Sequence, residues 1–176
     1  MPLLKNNVLT ADSWINVDAE GDLPAAGDVI VPFARLLREW GELSARPGRL
    51  GLRLGNTDKP EALGTFLPGL ALIVLPFPAF NDGRAYSIAR KLREMGYAKE
   101  LRATGNVLPD QLQFMLQVGF DAFEIGERFP LETWQKASRQ MSLAYQRGLF
   151  RRGAEAEIWT ERHTDAEPWL EQPHAG

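Results

Sequence analysis

Cysteine is absent from all 176 residues. That removes disulfides, thiolate metal sites, cysteine-ligated iron–sulfur clusters and thiol nucleophiles from this chain's repertoire. Histidine occurs only at His163 and His174, both after Gly153 in a stretch where Glu, Thr, Pro and Gln interrupt any apolar period. A histidine catalyst or metal ligand in the core is therefore not expected. The longest apolar run, Leu70 to Phe77, is far short of the ~20 residues that cross a bilayer. The start, Met1-Pro-Leu-Leu-Lys-Asn-Asn, lacks a basic-then-apolar leader pattern, so the expected address is cytoplasmic with no membrane contact. Gly48, Gly51 and Gly55 do not meet the G-x-G-x-x-G spacing, and no P-loop ends in Gly-Lys-Ser/Thr. Dinucleotide and ATP sites thus have no motif support.

A net charge of -3 argues against nucleic acid as a partner. With 44% hydrophobic and 24% charged residues, the chain has the balance of a packed protein. The reading is one α/β domain over residues 1–150, with residues 1–27 as an extension or small hairpin and 151–176 as a polar tail. Trp159 and Trp169 fall in that tail.

From residue 28 onward, short apolar runs alternate with helical periods, the pattern of repeated βα units. Strands are expected at 29–31, 50–54, 70–75, 100–104 and 122–125, each followed by a turn and a helix. The fold class is α/β with about five βα units and a mostly parallel sheet, either a flavodoxin-like open sheet or an incomplete βα barrel. Leu3 to Leu9 and Trp14 to Val17 read as a hairpin or edge ribbon, a cover and not a site. Between Asp82 and Met95, Ala85, Ile88, Ala89, Leu92 and Met95 mark one buried helical face. Asp82 is placed to cap that helix and Gly96 to end it. A second helix is expected from Leu108-Pro109-Asp110-Gln111 to Gly119, and a third after Pro130, with Trp134, Ala137, Met141 and Ala144 inward.

In such architectures ligands bind beyond the carboxyl ends of the strands. That edge would collect Asp82-Gly83-Arg84, Thr104-Gly105-Asn106, Asp110, Gln111 and Glu124. A helix start at Gly83 offers free N–H groups to an anion, and Arg84 would add a clamp; the plainer reading is a cap and a turn. Arg90, Lys91 and Arg93 give the same helix a basic face, suited to docking or simply to solvent. Thr57 and Asp58 form a polar turn after the second strand. Arg102 lies within Glu100-Leu-Arg-Ala-Thr, a strand buried on both faces, so it needs a partner. Glu124 in the next strand is the candidate, as a structural ion pair or as one that faces a ligand. Asp82, Asp110 and Glu124 are the carboxylates available for acid–base work, without an assigned catalytic residue. No metal is expected and no cofactor is encoded by motif; a flavin stays open, because some flavin sites lack a short motif.

The segments Phe80-Asn-Asp-Gly-Arg-Ala-Tyr-Ser, Leu101-Arg-Ala-Thr-Gly-Asn-Val-Leu-Pro-Asp-Gln and Gly119-Phe-Asp-Ala-Phe-Glu, with Asp12-Ser-Trp and Leu23-Pro-x-x-Gly-Asp-Val-Ile-Val-Pro upstream, resemble the bacterial domain of unknown function 934 family over roughly residues 10 to 145. Members are typically encoded beside an assimilatory sulfite reductase and labelled probable oxidoreductases or accessories to it. The resemblance implies a role in sulfite reduction and cysteine biosynthesis, with the reductase or its electron donor as partner. It supplies no catalytic residues. An accessory that aids electron supply or activity is the favoured expectation. The alternative is a stand-alone oxidoreductase or small-molecule binder, taking an oxyanion, a phosphorylated ligand or a flavin at the strand edge. Either is compatible with a homo-oligomer.

Overall fold

The computed structural model describes residues 2–139. Strands β1 (Leu3–Lys5), β2 (Val8–Thr10), β3 (Ile15–Asn16), β4 (Val29–Pro32), β5 (Leu50–Arg53), β6 (Leu70–Phe77), β7 (Glu100–Gly105) and β8 (Ala122–Glu124) form one sheet in the order β2-β1-β8-β7-β6-β5-β4-β3. β3 to β8 run parallel, while β1 is antiparallel to both β2 and β8. Helices α1 (Phe33–Ala45), α2 (Arg84–Glu94), α3 (Leu112–Val118) and α4 (Leu131–Arg139) complete the domain.

All five expected strands are present, but the sheet is mixed and curled into a half-barrel, so the flavodoxin-like alternative does not hold. Loop length shows why it must curl. Eight strands about 4.8 Å apart would span about 33 Å if flat. The edge strands β2 and β3 are joined by residues 11–14 alone, and five residue steps reach at most about 18 Å. The edges must approach each other, and this strap must cross the concave side.

Alternation along the strands sorts the two faces. Val29, Val31, Leu52, Ile73, Leu75, Phe77, Leu101, Ala103 and Phe123 point outward into the main core beneath the helices. Ile30, Leu72 and Val74 point inward and pack with Trp14 of the strap. Gly51 makes room for that indole: a Cβ there would lie 3.1 Å from Trp14 and 3.0 Å from Ile30.

Two expectations about connections need correction. Residues 54–69 carry no α-helix; two short 3₁₀ turns, Pro60–Leu63 and Leu67–Gly69, make the crossover, because Pro60, Gly64, Pro68 and Gly69 break every run long enough for a helix. Pro109–Gln111 is likewise a 3₁₀ turn that leads into α3. The ends of α2 and α3 are as expected, with Gly96 and Gly119 at φ +88° and +107°. In α4, Trp134 and Ala137 are buried. Met141, Ala144, His163, His174, Trp159, Trp169 and the 151–176 tail lie outside the described residues.

Candidate functional site

The inward face carries a row of charges where a packed interior would have none. Arg102 on β7 is 1% exposed. Its Nη1 donates to Asp12 Oδ2 at 2.8 Å and, at 3.5 Å, to Glu124 Oε1; Nη2 and Nε reach Glu100 Oε1 at 3.0 and 3.2 Å. Lys5 Nζ binds the other Glu100 oxygen at 2.8 Å. Burial works against the Arg102 charge, but the hydrogen bonds to Asp12 and Glu100 outweigh it and hold the guanidinium above its ordinary pKa. Asp12 belongs to the strap, so one ion pair fastens the strap across the face. Trp14, with Arg49 stacked 5.0 Å over its ring, fastens the same strap beside it. Together they floor the half-barrel.

Above that floor, toward the carboxyl ends of the strands, a cavity of about 310 Å³ remains, lined among others by Asn16, Arg53, Val74, Pro76, Thr104 and Glu124, with Asn106 at its rim. Arg53 shares a row of the sheet with Val74 and Arg102. Its β4 and β6 neighbours in that row, Pro32 and Val74, are uncharged. Among the described residues Arg53 makes no ion pair; its guanidinium donates to Asn16 Oδ1. Across the chamber Thr104 Oγ1 donates to Glu124 Oε2 at 2.6 Å. The chamber therefore has a cationic wall, an acidic wall and a hydroxyl between them.

Its rim is stiffened by side-chain amides. Asn106 Nδ2 donates to Pro78 O at 2.6 Å, Gln111 Nε2 to Phe80 O at 2.7 Å, and Asn56 Nδ2 to Asp82 Oδ2 at 3.1 Å. Gly105, at φ +91°, lets the end of β7 lie against β6, since a Cβ would sit 2.6 Å from Phe77 O. No other residue fits there.

The expected site residues separate into groups. Arg102 and Glu124 do meet across adjacent strands, although Arg102's shorter bonds go to Asp12 and Glu100. Asp82 accepts Arg84 N–H at 3.2 Å, Nε–H at 3.0 Å and Nη2–H at 2.8 Å. These bonds, with help from Asn56, hold the Asp82 carboxyl well below its usual pKa. The anion cradle foreseen at Asp82-Gly83-Arg84 is thus occupied by its own aspartate. Arg90 pairs with Glu94 at 3.1 Å on the outer side of α2. Arg93 is not part of a basic surface: it is buried and donates to Gly119 O, Tyr97 O and Lys99 O, and pairs with Asp121. Asp110 is exposed on its turn, Gln111 serves the rim, Thr57 is exposed, and Asp58 accepts Gly55 N–H in a tight turn. Asp82, Gly83, Arg84, Arg90, Asp110 and Gln111 do not line the chamber. Asp12, Asn16 and Arg53 were not among the expected residues; the N-terminal segment does cover the concave face through Asp12 and Trp14, and in addition brings Asn16 to the chamber.

A larger groove, about 820 Å³, lies at the opposite end, between the β1–β2 turn and the starts of β7 and β8. Its cations Lys5, Arg93 and Lys99 already bind Glu100, Asp121 and Pro68 O. The chamber, whose cation makes no ion pair among the described residues and lies at the carboxyl ends of parallel strands, is the better candidate. Among the described residues no group of three or more Asp, Glu, His or Cys could hold a metal, and no helix is long and apolar enough to cross a membrane.

No curated protein matches the chain. A family model described as bacterial protein of unknown function (DUF934) matches residues 51–154, which include Arg53, Arg102, Thr104 and Glu124, and the chain belongs to that family.

Proposed function

We propose that this protein is a cytoplasmic accessory of assimilatory sulfite reduction, in sulfate assimilation and cysteine biosynthesis, and that it works by binding a small anion in the chamber above Trp14. The observation that carries the binding half of this reading is Arg53. Lys5 and Arg102 on the inward face are matched with carboxylates at 3.0 Å or less, whereas among the described residues Arg53 makes no ion pair and donates to the neutral Asn16. A guanidinium that lines a cavity and has no ion-pair partner among the described residues suits a carboxylate or other oxyanion, which it can grip with two parallel N–H bonds. The pathway half rests on the family resemblance, and the partner it implies is sulfite reductase or its electron donor. At about 310 Å³, the chamber is at the small end of ligand sites, which favours a small anion over a flavin.

Two measurements test this. A deletion strain should grow on cysteine and fail or slow on sulfate or sulfite, and wild-type protein should restore growth while Arg53→Met should not. Calorimetry should detect sulfite or acetate binding to the wild-type chain and lose it in Arg53→Met. Normal growth of the deletion strain on sulfate removes the pathway role; equal binding by both proteins removes Arg53 as the receptor.

A further inference from the structure

We infer that the chamber's ligand is a small zwitterion of amino-acid type, its acid group on Arg53 and its ammonium on Glu124. This rests on the anion reading just given and deepens it.

Glu124 is the least engaged acid of the inward cluster. Two cations, Lys5 and Arg102, face three carboxylates, Asp12, Glu100 and Glu124. Asp12 and Glu100 hold the short bonds, at 2.8 to 3.0 Å, while Glu124 stands 3.5 Å from Arg102. Its other oxygen accepts the Thr104 hydroxyl. A carboxylate offers about four acceptor sites, so Glu124 keeps capacity toward the chamber it lines. The surplus negative charge of the cluster is thus placed at the chamber wall.

Arg53 and Glu124 stand on β5 and β8, three strand spacings apart. That is about 14 Å between backbones in a flat sheet, and less across the curl. Both side chains project inward above Val74 and Pro76. Both line the same cavity of about 310 Å³, so one small molecule held there would meet the two walls together. A bare anion on Arg53 would meet Glu124's repulsion, and a bare amine would meet Arg53's. A molecule with both charges satisfies both walls, and Thr104 between them gives a further polar contact. Discrimination comes from leaving a charge unpaired when either half is missing.

The test is a thermal-shift and calorimetric comparison on the intact chain at neutral pH. Probes are the common amino acids, each beside its deaminated acid and decarboxylated amine, as in alanine, propionate and ethylamine. At least one amino acid should raise the melting temperature and bind tenfold or more tighter than either truncated analogue. Glu124→Gln should bring that amino acid down to the affinity of its deaminated acid, and Arg53→Met should abolish both. If the deaminated acids bind as well as the amino acids, the zwitterion inference falls and the anion reading stands. If neither series binds, both fall. Because the ligand comparison is made on the wild-type chain, it decides the matter even if Glu124→Gln disturbs Arg102 and fails to fold.

Discussion

Arg53 and Arg102 occupy one row of the same sheet, with Val74 between them, yet they stand in opposite environments. Around Arg102, three carboxylates, a lysine and the strap close the space, and the side chain is 1% exposed. Around Arg53 there is a neutral amide and a cavity. The residue type and strand position are alike; the difference is made by Glu100 and Glu124 beside Arg102 and by residues 11–14, which bring Asp12 to the same arginine. One region of the inward face is thereby a floor and the other a chamber. Buried charge alone does not single out a site here; on the proposed reading, charge without its counterion does.

The largest effect should come from breaking the floor. Arg102→Ala leaves Asp12, Glu100 and Glu124 without their shared cation, and removal of one member of a buried ionic cluster costs about 3–5 kcal/mol. Urea unfolding should show a clearly lower midpoint, and a midpoint equal to wild type would mean the floor does not hold the strap. Trp14→Ala attacks the same floor from the apolar side. The indole is only partly buried, so the loss should be about 2–3 kcal/mol, below the ~3–5 kcal/mol of a fully buried large aromatic. Its second consequence sharpens the contrast: with the floor loosened, the chamber should lose ligand affinity although no residue that touches the ligand has changed.

Arg53→Met should do the reverse. Among the described residues its arginine bonds a neutral partner and no acid, so stability should stay within about 0.5 kcal/mol of wild type, while anion binding is lost. A large fall in stability would put Arg53 in the same structural class as Arg102 and erase the distinction between the two regions.

Much of the sheet was legible from sequence. Apolar runs separated by turns located the parallel strands β4 to β8, and the burial of Arg102 and its approach to Glu124 followed from its place between Leu101 and Ala103. The same alternation, Leu52-Arg53-Leu54, marked Arg53 as an inward cation, and that signal was available but unused. Asp12 and Asn16 were hidden for a different reason. A two-residue strand such as β3 has no period to detect, and that β2 and β3 lie at opposite edges is a property of the whole curled sheet, not of any local stretch. Arg93 misled in the other direction: on the helix it reads as one more basic surface residue, and only the carbonyls of Tyr97, Lys99 and Gly119, gathered by tertiary folding, make it a buried clasp. Asp82 and Arg84 do lie at a helix start that follows β6, but two opposite charges two residues apart satisfy each other first.

That last pair gives the smallest expected effect and the most selective one. Asp82's carboxyl is held below its ordinary pKa, chiefly by the Arg84 guanidinium and then by the Arg84 backbone N–H. A depressed folded-state pKa contributes stability that is present above the unfolded value, about 3.9 for aspartate, and is lost as pH falls toward the folded one. Asp82→Asn cannot titrate, yet it keeps an oxygen for the Arg84 N–H. At pH 7 its melting temperature should be close to wild type, because the pair is exposed on the Arg84 side and screened. Below about pH 4 the wild-type curve should fall more steeply than the variant's, and the two should converge. Ligand binding at neutral pH should be the same in both, since Asp82 does not line the chamber. If Asp82→Asn instead weakened binding as severely as Arg53→Met, the helix start at Gly83 would have to be counted as part of the site, and the boundary between floor, chamber and rim would need to be redrawn.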